Sequence, residues 1–110
     1  MAANSVPIQK LELTTEKTAT GTVVHCSGRI TSDTTQLLKT MVKPLFSESK
    51  TVVLDMMNVP YMDSSGLGTI FGLHVSAQTA NCQLQLTNLN KLLKDLFSML
   101  LKGSPYKLFD

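Results

Sequence analysis

The chain has no cluster of lysine or arginine, no apolar run of membrane-spanning length, and no two cysteines at ligand or redox spacing. Each absence excludes something. Ten basic and eight acidic residues, a formal charge of +2, are spread along the sequence, so no segment is able to neutralise a series of phosphates and nucleic-acid binding gets no support. The apolar stretches fall short of the ~20 residues that cross a bilayer, and residues 1–7 lack the basic stretch and apolar core of a secretion signal. The expectation is a soluble, cytoplasmic protein without a membrane span. Cys26 and Cys82 have no CxxC partner and no histidine at zinc-ligand spacing, so they read as buried, reduced thiols, with no metal and no cofactor. No repeat, low-complexity segment or linker divides the chain.

What is present is enough for one compact domain. Across 110 residues, 43% are hydrophobic and 16% charged, which supplies apolar surface to offset the entropy of ordering and argues against disorder. Two independent domains in this length would each be too small, so residues 1–110 are expected to form a single domain.

The periodicity changes along the chain. Residues 8–13 alternate apolar and polar, and residues 22–27 follow with Val23, Val24 and Cys26, two strands joined around Gly21. After Gly28, Leu37, Leu38, Met41, Val42, Leu45 and Phe46 fall at helical spacing, with Ser32 or Asp33 available to cap the start. Pro44 lies inside that pattern, where it lacks a donor and clashes with the preceding turn, and should kink or end the helix early. Residues 51–56 are rich in β-branched side chains and read as a central strand covered on both faces. A second helix is expected from about Ser64, with Leu67, Ile70, Phe71, His74 and Val75 on its apolar face. Residues 82–87 read as another strand. Leu89, Leu92, Leu93, Leu96, Phe97 and Leu100 then mark a third helix, stopped by Gly103 and Pro105, and residues 106–109 suggest a short edge strand.

The order β-β-α-β-α-β-α predicts an α/β fold: a mixed β-sheet with an initial hairpin, then alternating strands and helices packed on it. Such sheets carry their functional loops beyond the carboxyl ends of the strands. Residues 58–68 sit there, between a buried strand and a helix start, and hold the most unusual stretch of the chain, Tyr61-Met62-Asp63-Ser64-Ser65-Gly66-Leu67-Gly68.

A serine at a helix start accepts hydrogen bonds from the free amides of the first turn, and Asp63 adds a charge that the helix dipole favours. An ordinary cap accounts for that much. Two adjacent hydroxyls, glycines at 66 and 68 that leave little side chain around them, and an exposed Met62 go beyond it, and together present a hydroxyl within reach of another protein's active site. Met56 reads as core, and Met62 equally as core filler or as an adaptable contact.

The strand through Val52 and Asp55, the loop through Tyr61 and the turn Met62-Asp63-Ser64-Ser65-Gly66-Leu67-Gly68 together resemble the signature of the STAS domain of bacterial anti-anti-sigma factors. Gly28 closes the earlier strand where that family commonly has a glycine, and the resemblance runs over almost the whole chain. It implies that Ser64, directly after the aspartate, is phosphorylated by an anti-sigma factor with serine kinase activity, and that a phosphatase reverses this. It implies further that the unphosphorylated domain captures the anti-sigma factor and frees the sigma factor, the contacts being made by Met62, Asp63, Ser64, Ser65, Gly66 and the loop with Arg29 and Thr31. In that loop the family often places an acidic residue, a hydrophobic residue and an aspartate. Here stand Arg29, Ile30 and Thr31, which implies a different or re-tuned partner.

Other residues give less. His25 and His74 have no serine or cysteine partner assignable from spacing, so no catalytic triad is visible and no enzyme is expected. Gly66, Gly68 and Gly72 lack the lysine of a phosphate-binding loop and read as sites of close backbone packing. Two function classes remain. One is the phosphorylation-switched antagonist; the other is an unswitched STAS scaffold, such as a subunit of a lipid-transport or stress-signalling assembly.

Overall fold

The computed structural model describes residues 11–101. Strands β1 (Glu12–Lys17), β2 (Gly21–Ser27), β3 (Thr51–Asn58) and β4 (Gln83–Thr87) form one sheet in the order β1-β2-β3-β4. β1 pairs antiparallel with β2, and β2, β3 and β4 run parallel. Helices α1 (Thr35–Val42), α2 (Ser64–Thr79) and α3 (Lys91–Leu101) follow β2, β3 and β4 in turn. This is the mixed α/β sheet with an opening hairpin that the periodicities predict, and Val52 and Leu54 lie in an interior strand.

β1 sits later than the alternation of residues 8–13 predicts, and most of it is exposed. Residues 8–10 lie outside the described residues. The hairpin, rather than hydrophobicity, sets this strand: Glu12 to Lys17 pair one-for-one with Ser27 to Thr22. The turn between them is closed by Thr18, whose N–H donates to the Gly21 carbonyl at 2.8 Å and whose Oγ1 accepts from the Gly21 N–H at 3.2 Å. A side chain at Gly21 would collide with the Thr51 carbonyl of β3, so a glycine is needed where the hairpin meets the parallel sheet.

One face of the sheet is buried. Val24 and Cys26 of β2, Val52, Leu54 and Met56 of β3, and Leu84 and Leu86 of β4 join Leu38 and Val42 of α1, Ile70, Leu73 and Ala77 of α2, and Leu93 and Phe97 of α3 in one core. The strict alternation of burial along β2 and β3 corrects the expectation that residues 51–56 are covered on both faces. Val53 is half-buried on the other side, shielded by its cross-strand neighbours Val23 and Gln85 rather than by a helix. Both cysteines are buried and free, and burial, with the Asp55 charge adding to it, pushes the Cys26 thiol up to about 12.

The helices depart from expectation in their details. α1 starts at Thr35 with Thr34 as N-cap, not Ser32 or Asp33. The Thr34 hydroxyl turns back on its own loop instead, accepting from the Thr31 N–H at 3.0 Å and donating to the Arg29 carbonyl at 2.9 Å. α1 ends at Val42 and tightens into a 3₁₀ turn, Lys43–Ser47, that contains Pro44, as the proline predicts. On α2 the buried positions are Gly66, Ile70, Leu73, His74 and Ala77, whereas Val75 is exposed and Leu67 and Phe71 are half-buried. This helix is apolar on most sides, so hydrophobicity leaves its rotation open; Gly66, packed against Ile30 and Met62, is what fixes it. On α3, Leu93 and Phe97 are buried and Leu92 is exposed. The stop at Gly103 and Pro105 and the edge strand at 106–109 lie outside the described residues.

On the open face His25 bridges two carboxylates. Its Nδ1 lies 2.8 Å from Asp55 Oδ2 and its Nε2 2.9 Å from Glu16 Oε1, joining β1, β2 and β3. Hydrogen bonds to Glu16 and then Asp55 raise the His25 pKa above its ordinary 6.5. Burial pushes the Asp55 carboxyl up, but hydrogen bonds from Asn88, His25 and the Met57 N–H together outweigh it and hold it below its usual range. The raised histidine contributes stability that is complete below pH 6.5 and is lost as pH rises through its folded value. The lowered aspartate contributes stability present above its unfolded value of 3.8 and lost as pH falls through its folded one. Urea midpoints are therefore expected to peak between these limits and to decline as pH rises above 6.5, with the alkaline limb flattened in His25→Gln. An NMR-titrated His25 at or below its ordinary value contradicts the bridge.

Candidate functional site

Two loops beyond the carboxyl ends of β2 and β3 meet at the start of α2. Gly28, at φ 124°, turns the chain out of β2 in a conformation that favours glycine, and its N–H donates to the Asn58 carbonyl at 3.0 Å. Beyond it, Ile30 forms a single parallel bridge with Met62. The Ile30 N–H donates to the Tyr61 carbonyl and the Asp63 N–H donates to the Ile30 carbonyl, each at 3.2 Å. The segments Arg29-Ile30-Thr31 and Tyr61-Met62-Asp63, separate in sequence, thus lie side by side.

Asp63 caps α2. It is extended (φ −92°, ψ −176°), and its Oδ1 accepts from the Gly66 N–H at 2.9 Å. Its Oδ2 accepts from the Ser32 N–H at 3.2 Å, tying the helix start to the neighbouring loop. Ser64 is therefore the first helical residue and not the cap. Its side chain is exposed, and no described residue hydrogen-bonds to its hydroxyl. Ser65 is also exposed. The amides of Ser64 and Ser65, in the first helical turn, have no intrahelical carbonyl to bond and carry the positive end of the helix dipole.

The remaining candidates divide. Met62, expected to be exposed, is 1% exposed and belongs to the core, because its bridge with Ile30 turns it inward. Met56 is core as expected, and the exposed methionine of this region is Met57, at 66%. Gly66 is buried, and a β-carbon there would strike the Ile30 carbonyl and the Met62 side chain, so this glycine serves close packing. Gly68 and Gly72 do not, since a β-carbon at either meets nothing within 4 Å. Arg29 is exposed, with its guanidinium 5.0 Å from the centroid of the Tyr61 ring, a cation–π contact. Thr31 is half-buried and its N–H is spent on Thr34. His74 is buried within α2, and burial lowers its pKa.

Several contributors escaped sequence reasoning. Tyr61 supplies the ring under Arg29, and the Ser32 amide supplies a donor to Asp63; both depend on a register between loops that no local pattern encodes. Asn90 caps α3 through Oδ1, which accepts from the Leu93 N–H at 2.9 Å, while its Nδ2 reaches the Val59 and Pro60 carbonyls at 3.3 and 3.4 Å. An asparagine three residues before Leu93, the first buried leucine of α3, was a legible cap signal. Among the described residues no group of three or more histidine, cysteine or carboxylate side chains is placed to hold a metal ion.

The arrangement is an exposed hydroxyl on a rigid helix start, with an anion-tolerant set of amides beneath it and a cationic, aromatic rim beside it. Residues 11–102 of the sequence match the STAS domain family. The chain belongs to the STAS domain family. Solved structures with the same fold include the Bacillus cell fate determinant SpoIIAA in its phosphorylated form, at 16% identity and a TM-score of 0.69 over 90% of this chain and 89% of that one. An anti-sigma factor antagonist from Mycobacterium paratuberculosis aligns at 18% identity and a TM-score of 0.67, over 86% of this chain and 83% of that one. The murine solute carrier 26 family member A9 anion transporter aligns at 14% identity and a TM-score of 0.66, over 84% of this STAS chain but only 18% of the transporter. No curated protein sequence matches the chain. No helix among the described residues is long and apolar enough to cross a membrane.

The two glycines of the STAS turn have opposite roles, and stability measurements separate them. Gly66→Ala is expected to lower unfolding free energy by about 1–3 kcal/mol through overpacking against Ile30 and Met62, whereas Gly68→Ala is expected to raise it by about 0.5–1 kcal/mol. Equal effects in urea denaturation would contradict the packing described.

Proposed function

We propose that this single STAS domain is an anti-sigma factor antagonist, not an enzyme, acting in the cytoplasm and switched by phosphorylation of Ser64. Unphosphorylated, it binds an anti-sigma factor with serine kinase activity and so frees a sigma factor; phosphorylated, it releases that partner until a phosphatase restores it. The observation that carries the reading is the exposed Ser64 hydroxyl, left without a hydrogen-bond partner among the described residues because Asp63 takes the capping role. Fold likeness to antagonists, one of them solved in a phosphorylated form, supports it. Asp63, Ser65, Gly66, Arg29 and Thr31 are proposed to form the contact surface around Ser64, with Met62 supporting it from within.

The physics of the switch is local. A phosphate adds about −1.5 to −2 charges, which the free amides and dipole of a helix start tolerate, so the fold is retained. The cost falls on the complex: a phosphate in a closely packed interface must be desolvated beside the Asp63 carboxylate. A loss of about 3 kcal/mol corresponds to affinity weakened more than a hundredfold. The second reading, an unswitched scaffold within a larger assembly such as a transporter, draws on the solute carrier likeness.

Calorimetry with the co-purified kinase partner, together with phosphosite mapping, separates the two. Ser64→Ala should keep binding and abolish phosphate incorporation, and Ser64→Asp should weaken binding with its melting temperature nearly unchanged. Ser65→Ala should still be modified. Equal affinity before and after stoichiometric modification, or modification of Ser65 with Ser64 untouched, leaves the scaffold as the better account.

Arg29 stands where the resembling family is often acidic. Arg29→Glu is expected to change both partner affinity and its dependence on salt, since exposed interfacial charges act through screened attraction. Identical affinities for wild type and variant at low and moderate salt would place this loop outside the interface.

A further inference from the structure

An open groove of about 480 Å³ runs between α1 and α2, starting beside the serine pair. Lys39 of α1 and Lys43, the first residue of the 3₁₀ turn that follows it, form one wall, and Ser65, Gly68, Gly72 and Ser76 of α2 lie along the other. No carboxylate lines it. Among the described residues the ion pairs are Lys17–Glu48, His25 with Glu16 and Asp55, and Lys91–Asp95, so neither groove lysine is neutralised by them. The groove therefore presents uncompensated positive charge on one side.

Its other side is low, with Gly68 and Gly72 set among Ser65, Thr69, Leu73 and Ser76. Glycine inside a helix is less stable than alanine, and the fold gains no packing from Gly68 or Gly72, where a β-carbon would meet nothing within 4 Å. Four residues apart, they share one helix face and leave it low enough for another main chain to approach. From Ser65 to Ser76 the groove follows α2 for about 16 Å at 1.5 Å per residue. That length, and cations on a single wall, suit an elongated occupant better than a compact anion, which would call for converging donors.

We propose that this groove docks a helix of the protein partner whose acidic side chains face Lys39 and Lys43. The proposal rests on the partner-binding reading given above: Ser65 lies at the groove's end, so one partner covering Ser64 also reaches the groove. The attraction is long-range and salt-sensitive, and close backbone approach over the glycines supplies the fit.

The test uses the full ¹⁵N-labelled chain titrated with a helical alanine–glutamate peptide, its alanine–lysine counterpart, and inorganic phosphate alone. The expected result is chemical-shift changes at Lys39, Lys43, Ser65, Gly68, Gly72 and Ser76 with the acidic peptide only, diminishing with salt. Lys39→Glu with Lys43→Glu should weaken that binding about tenfold. Gly68→Gln with Gly72→Gln should block it without lowering the melting temperature, because both positions are open. Shifts elsewhere, equal shifts with the basic peptide, the same shifts with phosphate alone, or concentration-dependent self-association at these residues would overturn the proposal. The outcome is independent of the switch. Peptide bound in the groove of a chain that is never phosphorylated on Ser64 removes the switch and keeps the groove, and phosphorylation of Ser64 without peptide shifts does the reverse.

Discussion

The Asp63 carboxylate divides its two oxygens between two pieces of chain, and the geometry around Ser64 follows from that division. One oxygen closes the first turn of α2 through the Gly66 amide, and the other holds the Ser32 amide of the β2–α1 loop. With the cap supplied by the preceding residue, the Ser64 hydroxyl has no structural task. The same clamp brings the Ile30 carbonyl against α2, which is why position 66 has no room for a side chain and why Met62 turns inward. The aspartate and the glycine are thus two parts of one packing solution, and the serine between them is left free of it.

This arrangement also separates the exposed loop end of the molecule from the part that keeps it folded. The core lies under one face of the sheet, sealed by α1, α2 and α3, while the hydroxyl, the Arg29–Tyr61 pair and the lysine-walled groove occupy the loop end and the outer helix faces. Charge placed at the helix start meets amides already lacking partners, so it perturbs an interface far more than it perturbs the core. The same fold occurs in proteins as different as an anti-sigma factor antagonist from Mycobacterium paratuberculosis and a murine anion transporter. A scaffold whose core takes only the inward-facing residues of its surface loops lends itself to such reuse.

Much of the fold was legible because its strong signals were local. The order of elements, the early end of α1 at Pro44, the interior place of β3 and the start of α2 at Ser64 each followed from periodicity or from a single residue's stereochemistry. What was not legible was set between elements. β1 is located by pairing with β2 and not by its own polar sequence, and α2, apolar nearly all round, takes its rotation from where Gly66 must meet Ile30. Met62 lies in the core rather than exposed for the same reason: a one-residue bridge between two loops turns it inward. The cap assignment moved from Ser64 to Asp63 because a carboxylate with two acceptors satisfies two loops where a hydroxyl satisfies one.

Asn90 gives one end of its amide to the start of α3 and the other to the carbonyls just before the serine turn, a link across some thirty residues. On a ribosome, the turn emerges well before the residue that steadies it. The strand, the helix start and both serines leave the ribosome while the backbone at Val59 and Pro60 still lacks this support, and the turn gains its last tie only when α3 arrives.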